Sequence, residues 1–225
     1  MVESHAMRTR VKICGITRVE DALAAAHAGA DAIGMIFWSG TPRCVNIDRA
    51  KSIAAALPAF VTAVGLFVDP QEDEVRAVLD RVPLDMLQFH GDEDPRFCGS
   101  FAAPYIKAVP VGADRDLLQY ASRYADARGL VFDAFVPGGM PGGMGTTFDW
   151  STLTPELVGA LGRPVILSGG LTPQNVGEAI RAVRPWAVDV SSGVEASGSD
   201  GKPRRGIKDA AKITSFVQGV RNADA

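Results

Sequence analysis

The sequence has few cysteines, no long apolar segment and no excess of positive charge. Its 225 residues include only Cys14, Cys44 and Cys98, with no CxxC pair, so neither a disulfide framework nor a zinc site is expected. No apolar run approaches the roughly 20 residues that a membrane helix needs, and residues 1–10 lack a signal-peptide core. The net charge of −3 gives no electrostatic basis for binding nucleic acid. We therefore expect a protein of the reducing cytoplasm, with neither a nucleic-acid nor a membrane partner.

Short apolar runs recur along the chain at intervals typical of strands that alternate with helices. Most of these runs are nearly continuous, as expected for parallel strands that are covered on both faces. The eight predicted strands are Val11–Cys14, Ala32–Phe37, Val61–Val68, Asp85–Phe89, Tyr105–Val109, Leu130–Ala134, Val165–Gly169 and Ala187–Ser191.

Segments with apolar residues three and four positions apart lie between the runs and predict helices. One of them opens with Thr172-Pro173, a favourable N-cap and first helical residue. The predicted helices are Arg18–Ala28, Asp48–Leu57, Gln71–Arg81, Thr172–Val183 and Ile207–Val220.

Eight strand–helix units favour an α/β fold closed into a single-domain (β/α)₈ TIM barrel. We place the barrel at residues 11–222 and treat residues 1–10 as an N-terminal extension. A doubly wound open sheet is the alternative fold. Such a sheet would more often carry a GxGxxG motif after its first strand, where this chain has Cys14-Gly15-Ile16-Thr17.

The segment 135–147 interrupts the strand–helix alternation. It reads FVPGGMPGGMGTT, and so many glycines do not pack as a helix. A long glycine-rich loop after a barrel strand is a candidate active-site lid, although a plain surface loop would have the same composition.

Two reactive side chains are predicted where strands end, which is where barrel enzymes carry their active sites. Cys14 ends the first strand and is either a buried, inert thiol or, near a phosphate or a cation, an ionisable base. Asp133 lies in the apolar strand LVFDA, so its carboxylate should have a partner or a raised pKa. Such a carboxylate suits a general acid, and the alternative is a structural salt bridge inside the barrel.

Glycine-bearing turns follow the seventh and eighth predicted strands, at Ser168–Pro173 and Ser191–Glu195. Glycine lets the backbone approach a ligand, and phosphate sites in barrels recur between these two loops. The sequence therefore predicts a phosphate site there. The alternative is that the two segments are ordinary tight turns, which have a similar composition.

Three further polar residues are candidates for substrate binding. Arg43 follows the second strand and could hold a carboxylate by two parallel hydrogen bonds, or be a solvated side chain. His90 follows the fourth strand and could bind substrate, position a neighbour or be structural. Asp189 lies at the end of the eighth strand, at the same face of the barrel.

Taken together, these motifs resemble the phosphoribosylanthranilate isomerase family of tryptophan biosynthesis. The resemblance runs from about Val11 to the last helix and has two departures, Met144 where the family usually has threonine and an extra PGG repeat in the same loop. The segments that carry it are Val11–Thr17, Gly29–Phe37, Thr41–Val45, Leu87–Glu93, Phe132–Trp150, Ser168–Val176 and Asp189–Glu195.

The resemblance implies an isomerase that converts a phosphoribosyl aminoaldose to an aminoketose without a cofactor or a metal. Cys14 matches the family's general base and Asp133 its general acid. Arg43 matches the residue that contacts the anthranilate carboxylate. The residues that fall in the phosphate loops are Gly170, Ser192 and Gly193.

Two alternatives stay open at this point. The isomerase of histidine biosynthesis performs the same rearrangement on a related barrel, but it uses an aspartate where this chain has Cys14. A non-catalytic sensor of phosphorylated ligands would need neither Cys14 nor Asp133. The expected partner is a small phosphoribosyl substrate, and the expected assembly is a monomer or a homodimer.

Overall fold

The chain forms a closed barrel of eight parallel strands that are hydrogen-bonded in chain order, with β8 pairing back to β1. This is a computed structural model, and it describes residues 8–112, 116–134, 147–199 and 201–225. The barrel strands are β1 Arg10–Cys14, β2 Ala32–Ile36, β3 Thr62–Phe67, β4 Met86–Phe89, β5 Tyr105–Val111, β6 Leu130–Ala134, β7 Val165–Leu167 and β8 Ala187–Val190. The predicted (β/α)₈ barrel is confirmed, and each predicted strand overlaps an observed one.

Helices follow the strands and cover the outside of the barrel. Several begin at a side chain that accepts a backbone N–H, as Asn46 does from Arg49 and Thr154 from Leu157. The helices are α1 Val19–Ala28, α2 Ile47–Ala56, α3 Glu72–Leu79, α4 Pro95–Gly99, α5 Leu117–Ser122, α6 Pro155–Ala160, α7 Val176–Val183 and α8 Ala210–Asp224.

Strand side chains divide between two environments. Residues such as Ile13, Ile33 and Phe132 point outward and are fully buried against the helices, in the main hydrophobic core. The alternate residues of each strand point into the barrel. A small apolar layer that includes Val131 and Ile166 lies inside the barrel, and polar inward residues lie nearer the carboxyl ends of the strands.

The last helix begins later than predicted, because a hairpin precedes it. β9, Glu195–Ser197, pairs antiparallel with β10, Pro203–Lys208. The prediction of helix from Ile207 is therefore wrong, and α8 begins at Ala210 after the N-cap Asp209. Asp209 accepts the backbone N–H groups of Ala211 and Lys212, which fixes that start.

The predicted helix start at Thr172 is also wrong. α7 begins at Val176, because Thr172 and Asn175 close a turn instead. The Thr172 N–H donates to Asn175 Oδ1 at 2.7 Å, and the Asn175 N–H donates to Thr172 Oγ1 at 3.3 Å. Local side-chain hydrogen bonds of this kind compete with the helix and delay its first turn.

Residues ahead of Val11 contact the barrel. β1 begins at Arg10, the Arg8 guanidinium pairs with Asp31, and Thr9 donates from its backbone N–H and its hydroxyl to Asp224. Residues 1–7 lie outside the described residues, so the division into an extension and a barrel stays a prediction. The proposed lid, 135–147, also falls outside them except for Thr147, and so does Met144.

Candidate active site

A cavity opens at the carboxyl ends of the barrel strands. Five of the predicted site residues line it, and they come from β1, β6, β8 and the loops after β2 and β4. Those five are Cys14, Arg43, His90, Asp133 and Asp189. The strand-end positions therefore bring together residues that are far apart in sequence.

Cys14 is 5% exposed and faces the cavity from the last position of β1. Burial raises the pKa of its thiol above the usual value, and the positive charges of Lys12 and Lys208 only partly oppose this. Lys12 lies two residues earlier on the same strand, and its ammonium donates to Asp189 Oδ2 at 2.8 Å. The two lysine ammonium groups are thus the local charges that favour the thiolate, whereas burial and Asp189 favour the protonated thiol.

Asp133 has a buried partner. His90 Nε2 lies 3.1 Å from Asp133 Oδ2, and His90 Nδ1 lies 3.0 Å from Gln88 Nε2. The Ala134 N–H donates to the other carboxylate oxygen, Oδ1, at 2.9 Å. His90 therefore contacts the carboxylate of Asp133. Asp133 in turn has His90 as a partner inside the barrel.

Arg43 is 3% exposed and is tied to a buried glutamate. Its Nε and Nη2 donate to the two carboxylate oxygens of Glu195 at 2.7 and 2.9 Å. This excludes the solvated arginine that the sequence left open. Burial alone would raise the pKa of Glu195, but the bonds from Arg43 and the charge of Lys208 keep it below the usual range.

One wall of the cavity is apolar. Ile36, Leu66 and Val68 pack against Cys14, and the half-buried Trp38 completes the cluster. These side chains come from β2, β3 and the loops that follow them. The cavity can therefore take a ligand with one flat apolar part beside polar groups.

The turns after β7 and β8 lie against each other at the edge of the cavity. Ser168 and Ser191 line it, whereas Gly170, Ser192 and Gly193 do not and stand behind them in the same loops. A Cβ atom added at Gly193 would fall 1.9 Å from the Leu171 carbonyl oxygen, so only glycine fits there. Glycine at this position is therefore required by the packing of the two turns against each other.

Some residues of the site went unnoticed in the sequence. Lys12, Gln88 and Glu195 have roles in its geometry, yet the sequence assigned them none. Lys12 and Gln88 each lie two positions before a predicted site residue, so the two-residue alternation of strand side chains could have identified them. Glu195 gave no comparable signal, because its partner Arg43 is 152 residues away.

The described part of the chain contains neither a candidate metal site nor a membrane-spanning helix. No group of three or more His, Cys, Asp or Glu side chains could hold a metal ion there. No helix in the described ranges is long and apolar enough to cross a membrane.

The fold and the cavity define a (β/α)₈ barrel enzyme with a thiol, a carboxylate and a guanidinium at the carboxyl-terminal end of the barrel. A family model described as N-(5'phosphoribosyl)anthranilate (PRA) isomerase matches residues 11–219. The N-(5'-phosphoribosyl)anthranilate isomerase of Pseudomonas fluorescens is 54% identical over 214 residues, covering 95% of this chain and 96% of that protein. This chain belongs to the N-(5'-phosphoribosyl)anthranilate isomerase family.

Solved structures agree with this assignment. A phosphoribosyl anthranilate isomerase in complex with reduced 1-(o-carboxyphenylamino)-1-deoxyribulose 5-phosphate is 38% identical, with a TM-score of 0.80, and the match covers 95% of this chain and 99% of that one. A Thermotoga maritima structure, described as monomers generated from the dimeric isomerase, is 36% identical with a TM-score of 0.81 and the same coverage.

Proposed function

We propose that this protein converts N-(5'-phosphoribosyl)anthranilate to 1-(2-carboxyphenylamino)-1-deoxyribulose 5-phosphate, a step of tryptophan biosynthesis, with Asp133 as general acid and Cys14 as general base. The observation that carries the proposal is that one cavity holds both groups beside Arg43 and an apolar wall. The reaction moves protons within one molecule and transfers no net electrons to another. The proposal therefore includes no redox cofactor and no metal.

The first step is opening of the ribose ring. Asp133 donates a proton to the ring oxygen, the bond from that oxygen to C1′ breaks, and the nitrogen lone pair forms the C1′=N bond of a Schiff base. A proton-transfer group of this kind typically contributes about 10²–10⁴-fold to the rate.

His90 and Gln88 are suited to both protonation states of Asp133. When Asp133 is ionised, the Gln88 amide donates to His90 Nδ1, and His90 Nε2–H donates to the carboxylate. In this orientation Gln88 Oε1 is buried and has no partner among the described residues. Turning the amide over lets Oε1 accept from Nδ1–H, so that Nε2 accepts from a protonated Asp133.

The second step is loss of the proton on C2′. The Cys14 thiolate takes that proton, and the electrons of the C–H bond form the C1′=C2′ bond of an enolamine while the nitrogen regains its lone pair. The enolamine then gains a proton at C1′ and loses the one on the 2′-hydroxyl, which gives the ketone.

Three features support the way the substrate would be held. The end of the Arg43 guanidinium that Glu195 does not occupy is free to bind the anthranilate carboxylate. The wall of Ile36, Leu66, Val68 and Trp38 suits the aromatic ring. The turns of Gly170, Ser192 and Gly193 suit the phosphate, and Asp189 suits a sugar hydroxyl, because its Oδ1 has no partner among the described residues.

The experiment is turnover of freshly prepared phosphoribosylanthranilate, followed by loss of anthranilate fluorescence. We expect wild-type protein to consume it, and Cys14→Ala and Asp133→Asn each to lose about 10²–10⁴-fold in kcat. Cys44→Ala is the matched control, because Cys44 is a half-buried thiol that does not line the cavity.

Two results would contradict the proposal. Near-wild-type kcat in Cys14→Ala would exclude Cys14 as the general base. If the main defect of Asp133→Asn were unfolding, Asp133 would have a structural role and not a catalytic one. Binding of phosphoribosyl compounds without any turnover would favour the ligand sensor.

The assembly and the location belong to the same proposal. We expect a monomer or a homodimer, because a relative of this length is described as dimeric and also as monomers. The three free thiols fit a reducing cytoplasm.

A further inference from the structure

Lys12 and Cys14 are neighbours on the inner face of the barrel. They stand two positions apart on β1, so both side chains point into the barrel. Lys12 is 5% exposed, and its ammonium donates to Asp189 Oδ2 at 2.8 Å. Asp189 belongs to β8, where it is the register partner of Lys12. The ammonium is therefore held from one side by a carboxylate that is itself buried.

Gly34, on the neighbouring strand β2, shows how close the ammonium and the sulfur lie. A Cβ atom placed on Gly34 would be 2.9 Å from Cys14 Sγ and 3.1 Å from Lys12 Nζ. Both groups thus pack against the same point of β2, in space that any larger residue would fill. The absent side chain leaves room for a positive charge beside the thiol.

We propose that Lys12 is a positioning residue for the base, its ammonium pairing with the Cys14 thiolate while Asp189 holds that ammonium beside the sulfur. The assignment of Cys14 as base rests on the proposed function, whereas the pairing of the two side chains does not. During the reaction the sulfur alternates between thiolate and thiol, and the Lys12 ammonium keeps its charge and its bond to Asp189.

The charges around Cys14 act on its pKa in opposite directions. Burial would lower the pKa of Lys12, but Asp189 and Cys14 more than offset it, so this lysine stays charged. Burial and Asp189 raise the pKa of Cys14, while Lys12 and Lys208 lower it. Arg43, His90 and Asp133 are the remaining charged or titratable groups that line the same cavity. Lys12 is the cation nearest in sequence and touches the same glycine as the sulfur.

Lys12→Gln tests the proposal, because glutamine keeps an N–H donor for Asp189 and removes only the charge. The readout is the ultraviolet absorbance of the thiolate as the pH is raised, with the spectrum of Cys14→Ser subtracted. An opposite charge at this range shifts a pKa by about 1–3 units, so we expect the Cys14 titration to move up by that amount. At neutral pH, kcat should fall about tenfold for each unit, since the thiolate fraction falls tenfold. The loss should shrink at alkaline pH, and KM should change little.

Two further variants separate charge from structure. Lys12→Arg keeps the cation, and its Cys14 titration should stay near the wild-type position. Lys107→Gln removes another buried lysine, one paired with Glu93 at 3.1 Å, and should leave the Cys14 titration unmoved.

An unmoved Cys14 titration in Lys12→Gln would overturn the proposal. Equal upward shifts in the Gln and Arg variants would also overturn it, because the effect would then not depend on charge. If the titration moves as expected while the wild-type protein does not turn over phosphoribosylanthranilate, the pairing stands and the proposed function fails.

Discussion

At the scale of single residues, Arg43 shows how a buried charge can be prepared for a ligand. Two of its nitrogens are bound to Glu195, which is fully buried at its side chain and also accepts the backbone N–H of Gly206 at 2.8 Å. The guanidinium plane is therefore fixed before substrate arrives. A fixed donor loses less conformational entropy on binding than a solvated arginine would.

We predict that Arg43→Ala lowers kcat/KM for phosphoribosylanthranilate by about 10–150-fold, the value of about 1.5–3 kcal/mol for a hydrogen bond to a charged group. Arg43→Lys should recover only part of it, since an ammonium keeps the charge but lacks the planar fork. Steady-state kinetics give the measurement, and thermal unfolding of both variants shows whether the fold is retained.

The control is the substrate of the histidine-pathway isomerase, which carries a carboxamide instead of the anthranilate carboxylate. Any weak activity on it should be unchanged or improved in Arg43→Ala. An equal loss on both substrates would assign Arg43 to the shared phosphoribosyl part or to the loop structure.

At the scale of elements, the turns after β7 and β8 act as one unit. Gly170 has a φ of 60°, in the left-handed region, and its carbonyl accepts the Asn175 side-chain amide at 3.0 Å. Gly193, from the other turn, lies against Leu171 with no room for a side chain. A substitution that moves the backbone of one turn should therefore also move the backbone of the other.

We predict that Gly193→Ala weakens competitive inhibition by inorganic phosphate by about tenfold, or about 1.4 kcal/mol. The added Cβ forces the two backbones apart and disturbs the amides that would bind the anion. Ser192→Ala is the matched variant and should change the inhibition constant only modestly, because backbone amides make most of the expected contacts. Unaltered inhibition in Gly193→Ala would place the phosphate elsewhere.

The strands of the barrel were predictable because each is an apolar run bounded by polar turns, and that signal is local. The hairpin of β9 and β10 was not, because its pairing depends on contacts such as Glu195 with Arg43 that no local pattern encodes. The start of α7 was missed because Thr172-Pro173 suits both a helix start and a turn. Cys14 and Asp133, which line the cavity, were predicted from their strand-end positions, whereas Lys12 was not singled out because it lies inside an apolar run.

At the scale of the whole molecule, residues just before β1 and at its start meet the end of α8 and the residue before β8 at the amino-terminal side of the barrel. The Arg10 N–H donates to the Trp186 carbonyl at 3.1 Å, and the Arg10 guanidinium lies 3.5 Å from the centre of the Trp186 ring. Thr9 binds Asp224, the last residue of α8. Barrel closure between β1 and β8 is thus reinforced by the residues just before and within β1.

We predict that removing residues 1–10 lowers the free energy of unfolding by about 2–4 kcal/mol relative to removing residues 1–7, as expected for loss of several hydrogen bonds of which some are charged. Urea unfolding of the two truncated proteins gives the comparison. Asp224→Asn should reproduce part of the loss, since it weakens both bonds from Thr9. Equal stability of the two truncations would confirm the boundary placed at Val11.

The buried ion pairs of the site also determine how late during synthesis the site can form. Lys12 and Arg43 leave the exit tunnel early, but their counterions Asp189 and Glu195 follow only when most of the chain has been made. Until then, the Lys12 and Arg43 side chains lack these counterions, and burying them unpaired would cost free energy. A chain that ends before β8 therefore cannot form either of these two ion pairs, and the charged lining of the cavity stays incomplete.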